Sequence, residues 1–346
     1  MKIRKLRQIN FKKLLYYLLL VLMLHFTFAH FSLLCKLQKN YFCSMTSIPP
    51  YLTPGDTIGI VCPAGYMPIE KAQTCINTLQ QWGYKVRVGK TTGNQHYYFS
   101  GTDDERLADL QAMLDDTNIK AILCGRGGYG VSRIIDRVDF SSFINNPKWI
   151  IGYSDITLLH AHLYSKLHIA SLHSPMAAAF NDGGADNIFI QSLRKAISGD
   201  KANYVTGSHT LNRAGTAEGE LVGGNLSLMA HMVGSPSAFD TKGKILFLED
   251  VGEYIYNVDR MFIQLQRAGM LDNLAGLIIG SFTEMKDTVI PFGQQVYDCI
   301  HDKIFNYNYP VCFAFPVGHT NNNYPLTHGA VHRLTVTGDG VTLLQV

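Results

Sequence analysis

The sequence lacks the residue spacings by which proteins hold structural metals or form disulfide frameworks. Its seven cysteines are scattered without a C-x-x-C pair, which argues against a disulfide framework and a cysteine zinc site and favours a reducing compartment. An H-E-x-x-H motif is also missing, and His160 and His162 on a predicted helix would point to different faces. We therefore predict no metal site, although His328 and His332, close to His319, leave a histidine zinc site open.

Basic residues are scarce outside the first 44 positions, and this excludes one class of partner. Residues 1–44 hold eight of the 30 Lys and Arg residues and no acid, so the rest of the chain carries 22 bases against 27 acids, a net charge of −5. No stripe of basic residues interleaved with aromatics is present either. A mildly acidic chain without such a stripe is not typical of a nucleic-acid binder.

The first 44 residues contain a long apolar run that has three interpretations. Residues 14–34 are uncharged for 21 positions behind Lys12 and Lys13, which is long enough to span a bilayer. The basic flank also suits a signal peptide, but no small-x-small cleavage site follows. A third interpretation, which we favour, is that translation begins at Met45 or that the extension has no role. A membrane anchor through residues 14–34 is the alternative to a cytoplasmic location.

From residue 52 onward, strand-like runs alternate with helical patterns. Strands are predicted over 56–62, over 119–124 and in KWIIGYS, and VSRIIDRVDF is predicted as a short helix. Gly83 provides a helix stop, and Thr102 provides an N-cap with acids in the first turn. This alternation with short turns indicates an α/β fold whose parallel sheet is covered on both faces.

The chain is predicted to contain two domains. The α/β domain that carries the parallel sheet spans 45–185, and a polar, glycine-dotted linker, with a helix near 186–198, follows over 186–219. A smaller, β-rich C-terminal domain spans 220–346. Its predicted strands are GKILFLED, LAGLIIGSF and YPVCFAF, and its tail VHRLTVTGDGVTLLQV alternates around GDG as a β-hairpin.

The segment CGRGGYGVSRII contains a G-x-G-x-x-G pattern after a strand. In a dinucleotide-binding enzyme this pattern follows the first strand and approaches a pyrophosphate, and an acid such as Asp155 closes the next strand. Here the strand is not the first, and Arg126 and Tyr129 are bulky for that contact. Glycine packing or an oxyanion-binding turn is the interpretation that we favour, because free backbone N–H groups stabilise developing negative charge.

The segment GYSDIT places Ser154 between a predicted strand and a predicted helix. This arrangement is typical of a nucleophile elbow, although Ile156 stands where the G-x-S-x-G pattern has its second glycine. The alternative is that Ser154 or Asp155 simply caps the helix. A serine nucleophile needs a base and a group that orients the base. Glu249 at the end of GKILFLED and His319 after another apolar strand are the candidates, since both stand at strand ends.

Six segments in this order resemble the LD-carboxypeptidases, the muramoyltetrapeptide carboxypeptidase family of serine peptidases. They are GDTIGIVCPAG, LCGRGGYG, IIGYSDITLLH, LVGGNLSLM, ILFLEDVGEYIYNVDRM and FPVGH. The resemblance implies that Ser154 is the nucleophile, His319 the general base and Glu249 the group that orients it. Glu253, four residues further on, leaves a second acid to consider. The resemblance also implies a cytoplasmic homodimer without a cofactor, which removes the terminal D-alanine from peptidoglycan tetrapeptides (muropeptides).

The remaining site residues follow from what such a reaction needs. The backbone N–H of Asp155 and one from the glycine turn, at Gly128, are expected to stabilise the oxyanion. Arg126 is the candidate for binding a free carboxylate, and Asn225 for a polar contact in the cleft.

Three other functions remain open on the sequence. The family that the chain resembles also includes microcin-immunity peptidases, which cleave a peptidyl-nucleotide antibiotic. The glycine pattern leaves a cofactor-binding oxidoreductase, and the apolar extension leaves a non-catalytic muropeptide-binding protein.

Overall fold

The structure, a computed structural model, describes residues 46–346, which form one compact unit. The predicted membrane-spanning or signal stretch at 14–34 lies outside the described residues. Among residues 46–346, none of the helices combines the length and apolar character that crossing a bilayer requires.

The first sheet is formed mainly by the N-terminal half of the described chain. Its order is β11-β5-β4-β3-β1-β2, and all neighbours are parallel except β11, which runs antiparallel to β5. The six strands are β1 (Thr57–Val61), β2 (Lys85–Val88), β3 (Ile119–Cys124), β4 (Trp149–Gly152), β5 (Ser171–His173) and β11 (Leu326–His328). The apolar runs that predicted β3 and β4 are buried in this sheet, as expected for parallel strands covered on both faces.

The second sheet has seven strands in the order β10-β9-β8-β7-β12-β13-β6. Its strands are β6 (Asn203–Gly207), β7 (Gly215–Asn225), β8 (Ile245–Val251), β9 (Gly276–Thr283), β10 (Val311–Cys312), β12 (Val331–Val336) and β13 (Gly340–Gln345). Strands β7 to β10 are parallel, whereas β12 and β13 form the predicted antiparallel hairpin. This half is therefore strand-rich, as the sequence predicts.

Eight α-helices connect and cover the strands in the described part of the chain. They are α1 (Gln73–Gln81), α2 (Asp103–Asp115), α3 (Ser141–Asn145), α4 (Thr157–His162), α5 (Ile188–Ser198), α6 (Leu226–His231), α7 (Ile255–Arg267) and α8 (Val296–Ile304). Helix α2 begins as predicted, because Thr102 and Glu105 form a reciprocal capping box. At its other end the buried Lys148 ammonium donates to the carbonyls of Met113, Leu114 and Asp116 at 3.1, 2.9 and 2.7 Å.

Residues 186–219, predicted as a linker with a helix near 186–198, consist of regular elements that pack with both halves, and the predicted helix is present. Helix α5 lies within this region, and Ile190, Leu193 and Ile197 are buried in the same apolar cluster as Leu52 and Trp82 of the N-terminal half. Strands β6 and β7 then belong to the second sheet. The polar composition of this region reflects exposed faces of regular elements, not a separate connection.

Two smaller elements also differ from the predictions. Residues 131–140 contain two short 3₁₀ turns, because Ile134, at φ −120° and ψ −20°, interrupts a helix. The predicted strand YPVCFAF is regular only over β10, because Ala314 adopts a left-handed φ of 57°.

Candidate functional site

Ser154 lies at a sharp turn between β4 and α4. Its φ is +64°, a left-handed value that is uncommon for a residue with a side chain. A 3₁₀ turn over Ser154–Ile156 leads directly into α4, so the serine stands where a helix begins at the carboxyl end of a parallel strand. The N-cap residue of that turn is Tyr153, whose side chain makes no capping bond. The local geometry is therefore that of a nucleophile elbow, without the second glycine.

His319 connects Ser154 to Glu249. Its Nδ1 lies 2.7 Å from Glu249 Oε2, and its Nε2 lies 3.0 Å from Ser154 Oγ. A carboxylate can only accept hydrogen bonds, so Nδ1 donates and Nε2 accepts from the serine hydroxyl. Gly318 allows this approach, because a Cβ there would lie 2.7 Å from Glu249 Oε2 and the residue adopts a φ of +121°.

The surroundings of His319 favour its protonated form. Burial acts to lower the pKa of the imidazole, but the hydrogen bond and charge of Glu249, with the charges of Asp250 and Glu284, outweigh it and raise the pKa. Glu249 itself is fully buried. A base with a raised pKa beside a serine hydroxyl is suited to accept its proton.

Asp250 and Glu253, the two acids that follow Glu249 in the chain, have other partners. Glu253 accepts from Ser227 and Asn257, so it is not the carboxylate that contacts His319. Asp250 also accepts from Ser227, and burial raises its pKa to about 6. Of the acids considered in the sequence, the structure therefore brings Glu249 to the imidazole.

The glycine turn, residues 125–130, lies against the serine. An added Cβ at Gly127 would lie 2.8 Å from Ser154 Cβ, 3.0 Å from its Oγ and 3.4 Å from Asp155 N. The Gly127 carbonyl accepts from Gly65 N–H at 3.0 Å. Because a trans peptide points its C=O and N–H in opposite directions, Gly128 N–H faces away from Gly65. This orientation is compatible with an oxyanion donor at Gly128.

The same turn does not have the architecture of a dinucleotide site. Only a three-residue 3₁₀ turn, Val131–Arg133, follows it, so no long helix N-terminus faces the glycines. The carboxylate of Asp155 is buried and accepts from Val131 N–H at 2.8 Å. It is therefore not available to a ribose.

A cavity of about 370 Å³ opens beside the serine–histidine pair. Its lining comes from both halves of the described chain and includes Tyr153, Asp182, Asn187, Glu284 and His319. The Tyr153 ring lies 4.9 Å from the His319 ring, centroid to centroid. This volume is in the range of small-molecule and peptide sites.

Profiles of known protein families match both halves of the chain. The LD-carboxypeptidase N-terminal domain matches residues 58–174, and the LD-carboxypeptidase C-terminal domain matches residues 218–334. A probable murein peptide carboxypeptidase from Bacillus subtilis (strain 168) is 36% identical over 292 residues, which is 83% of this chain and 91% of the relative. The chain belongs to the LD-carboxypeptidase family.

This family member is also similar to two proteins whose named functions differ. The crystal structure of muramoyltetrapeptide carboxypeptidase from Oxalobacter formigenes superposes with a TM-score of 0.77 at 28% identity, covering 84% of this chain and 99% of that one. It confirms the predicted fold class. The microcin C7 self-immunity protein MccF of Escherichia coli is 26% identical over 305 residues, covering 78% of this chain and 88% of the relative.

The two predicted substrate contacts of this family member have different outcomes. Asn225 is only 4% exposed, and its amide is already used: it donates to Asp250 at 2.9 Å and accepts from Leu228 N–H at the start of α6. The prediction of a cleft contact does not fit this buried helix cap. Arg126 is exposed and donates to the Tyr66 carbonyl at 3.0 Å, and its role toward a carboxylate stays a prediction.

Three histidines outside the serine site make hydrogen bonds to neighbouring protein groups. His160 Nε2 lies 2.8 Å from the Gly152 carbonyl, His162 Nδ1 lies 3.0 Å from Ser237 Oγ, and His332 Nδ1 lies 3.0 Å from the Ala330 carbonyl. Within residues 46–346, no group of three or more His, Cys, Asp or Glu side chains has the arrangement of a metal site.

Two residues near the site were missed by the sequence reasoning. The Tyr153 ring lies beside the His319 ring, and its position directly before the serine was the available signal. Arg106 is fully buried beneath the glycine turn. Its spacing from Leu110 and Met113 on α2 is that of one apolar helix face, which could have indicated burial.

Proposed function

We propose that this protein is a serine carboxypeptidase that uses Ser154 as nucleophile, His319 as general base and Glu249 as the residue that orients the base. The observation that carries the proposal is the continuous hydrogen-bonded chain from Glu249 through His319 to Ser154. The left-handed backbone conformation of Ser154 supports the proposal further, because strained backbone conformations are concentrated at active sites.

In the proposed reaction His319 Nε2 takes the hydroxyl proton while Ser154 Oγ attacks the scissile carbonyl. Glu249 holds the Nδ1–H tautomer and stabilises the imidazolium that forms. The imidazolium then gives its proton to the leaving amine as the amide C–N bond breaks. Water, deprotonated by the same histidine, hydrolyses the acyl-serine and restores the enzyme.

The tetrahedral oxyanion would be stabilised by backbone N–H groups of Asp155 and Gly128. The close approach of Gly127 to Ser154 and the orientation of the 127–128 peptide support this assignment. Removal of one such donor typically costs about 3 kcal/mol of transition-state stabilisation. The glycines of GRGGYG thus have a role that needs no dinucleotide.

The substrate that we propose is a peptidoglycan tetrapeptide, from which the enzyme releases terminal D-alanine by cleaving an L,D amide bond. The similarity to the murein peptide carboxypeptidase of Bacillus subtilis and to the muramoyltetrapeptide carboxypeptidase of Oxalobacter formigenes supports a murein peptide as the substrate. The cavity beside His319 is large enough for part of such a peptide. We further propose a cytoplasmic homodimer that acts in murein recycling, without a cofactor and with Arg126 near the substrate carboxylate.

A second candidate is a microcin-immunity peptidase, which the similarity to MccF favours. The same serine, histidine and glutamate would act in both cases, so the substrate distinguishes them. An oxidoreductase lacks support in the glycine turn, and a non-catalytic binding protein would not need the ordered Glu249–His319–Ser154 chain.

The test is release of D-alanine, followed by mass spectrometry, from a muropeptide tetrapeptide and, in parallel, cleavage of microcin C7. Wild type and Ser154→Ala are compared with and without a chelator. We expect D-alanine release by wild type that the chelator does not change, and a loss of about 10⁶ in kcat for Ser154→Ala. Activity on the microcin alone would select the second candidate. An active Ser154→Ala enzyme would show that Ser154 is not the nucleophile and only begins the helix.

A further inference from the structure

Two buried residues of opposite charge hold the glycine turn. Arg106 reaches it from helix α2, and Asp155 reaches it from the residue after the nucleophile. Both are almost completely buried, with 0% and 1% of their surfaces exposed. Charged side chains are rarely buried unless their groups are paired or hydrogen-bonded, so the position of both beside one turn calls for a reason.

Arg106 holds carbonyl groups. Its Nη1 donates to Gly130 O at 2.9 Å and to Pro63 O at 2.6 Å, and its Nη2 pairs with Asp103. One guanidinium thus joins the end of the glycine turn to the loop after β1 and to the first turn of α2. The planar fork of arginine makes this possible, because several donors point in fixed directions from one rigid group.

Asp155 binds the backbone N–H of the residue that directly follows the same turn. Its Oδ2 accepts from Val131 N–H at 2.8 Å. Burial raises the pKa of the carboxyl to about 6, and the Val131 N–H, the Arg106 charge and the Gly130 N–H all act against that rise. Arg106 therefore binds the carbonyl of Gly130, and Asp155 binds the N–H of the next residue, Val131.

The position of the turn matters because its other end touches the serine. Gly127 lies against Ser154, and the 127–128 peptide carries the N–H proposed for the oxyanion. Asp155 supplies the second proposed N–H from its own backbone while its side chain holds the turn. A single residue thus fixes the spacing between the two donors.

From this geometry we propose that Asp155 and Arg106 are positioning residues, which lock the glycine turn to the nucleophile and set the distance between the two oxyanion donors. The inference rests on the proposed serine mechanism but not on the identity of the substrate. Neither side chain contacts the reacting atoms. Their loss is expected to lower kcat, because the oxyanion exists only in the transition state, and to leave KM unchanged.

The experiment uses a readout that requires no muropeptide. An alkyl fluorophosphonate reacts with a serine nucleophile: the Ser154 Oγ–P bond forms, the P–F bond breaks, fluoride leaves and the hydroxyl proton passes to His319. The phosphoryl oxygen occupies the oxyanion position, so the labelling rate reports the two donors. We expect Asp155→Asn and Arg106→Lys to label about 10- to 100-fold more slowly than wild type, as for a misplaced catalytic group.

Matched controls come from an exposed ion pair. Asp104 on helix α2 and Arg137 in the 3₁₀ turn over 135–137 lie 2.6 Å apart, so Asp104→Asn and Arg137→Lys make the same chemical changes away from the glycine turn. Both are expected to label like wild type. Asp155→Asn keeps a carbonyl oxygen for Val131 N–H, so it should label faster than Asp155→Ala. A purely structural role would not produce this order at matched thermal stability.

The outcomes separate the inference from the proposed function. If wild type labels at Ser154 and the two variants label slowly, the inference stands even when no D-alanine is released. If Asp155→Asn and Arg106→Lys label as fast as wild type, or raise KM at unchanged kcat, the inference is wrong while the serine mechanism survives. Should thermal melts show one variant unfolded at the assay temperature, the other variant decides.

Discussion

Glu249 Oε2 lies 2.7 Å from His319 Nδ1, although the two residues are 70 positions apart in the chain. The glutamate side chain is fully buried. Glu253 lies four residues further along the chain and contacts Ser227 and Asn257 instead. The two acids are therefore a natural pair for separating catalysis from packing.

The first prediction uses this pair. Glu249→Gln should lower kcat by about 10⁴, because an amide no longer holds the imidazole in the productive tautomer. Glu253→Gln should retain activity close to that of wild type. Steady-state D-alanine release measures both. Equal losses in the two variants would contradict the assignment of Glu249.

The second prediction concerns pH. His319 must be neutral to accept the serine proton, and its pKa is raised, so kcat/KM should fall as pH drops through a value above the ordinary histidine pKa of about 6.5. Glu284→Gln removes one charge that raises this pKa, and the acid limb of the profile should move to lower pH.

The control for that shift is Asp287→Asn, an exposed acid three residues further on. It should leave the acid limb in place. A Glu284→Gln profile that coincides with wild type would show that Glu284 does not act on the base.

The third prediction concerns the close approach of the glycine turn. Gly127→Ala places a methyl group 2.8 Å from Ser154 Cβ and 3.0 Å from Oγ, so the turn or the serine must move. Such displacement should lower kcat about 100-fold. Gly338→Ala, where a Cβ meets nothing within 4 Å, is the control. An unimpaired Gly127→Ala enzyme would mean that the turn does not set the oxyanion site.

The fourth prediction concerns stability away from the site. Lys148→Met removes the ammonium from three buried carbonyls at the end of α2 and should lower the free energy of unfolding by about 1–3 kcal/mol. Urea titration measures the change. Lys120→Met, which removes an exposed lysine bonded to Thr117 O, should have little effect. A similar loss in both would argue against the carbonyl contacts as the cause.

Much of the fold could be predicted because its signals are local. Strand β3 has the predicted bounds, and the Thr102 cap lies at the predicted helix start. The candidates Ser154, Glu249 and His319 were chosen because they follow apolar strands, and parallel strands bring their carboxyl ends together. In the structure, the His319 side chain lies within hydrogen-bond distance of both Glu249 and Ser154.

What the sequence did not predict depends on contacts between distant segments. Helix α5 was predicted as a helix, but its packing was not, because its buried face, with Leu193 at its centre, is short and surrounded by polar residues. Asn225 reads as a cleft residue, but Asp250, 25 positions away, binds its amide. Arg106 was not singled out in the sequence, because its partner, the Gly130 carbonyl, lies 24 positions away. None of these partners can be inferred from spacing along the chain.

Strand β11 has a consequence for how the molecule is made. It comes from near the end of the chain, yet it pairs with β5 at the edge of the first sheet. Until residues 326–328 have left the ribosome, the backbone groups along that edge of β5 have no strand to pair with. His319 is synthesised only shortly before. A nascent chain therefore carries Ser154 long before it carries His319, and the hydrogen-bonded chain from Glu249 to Ser154 can form only after residue 319 has been synthesised.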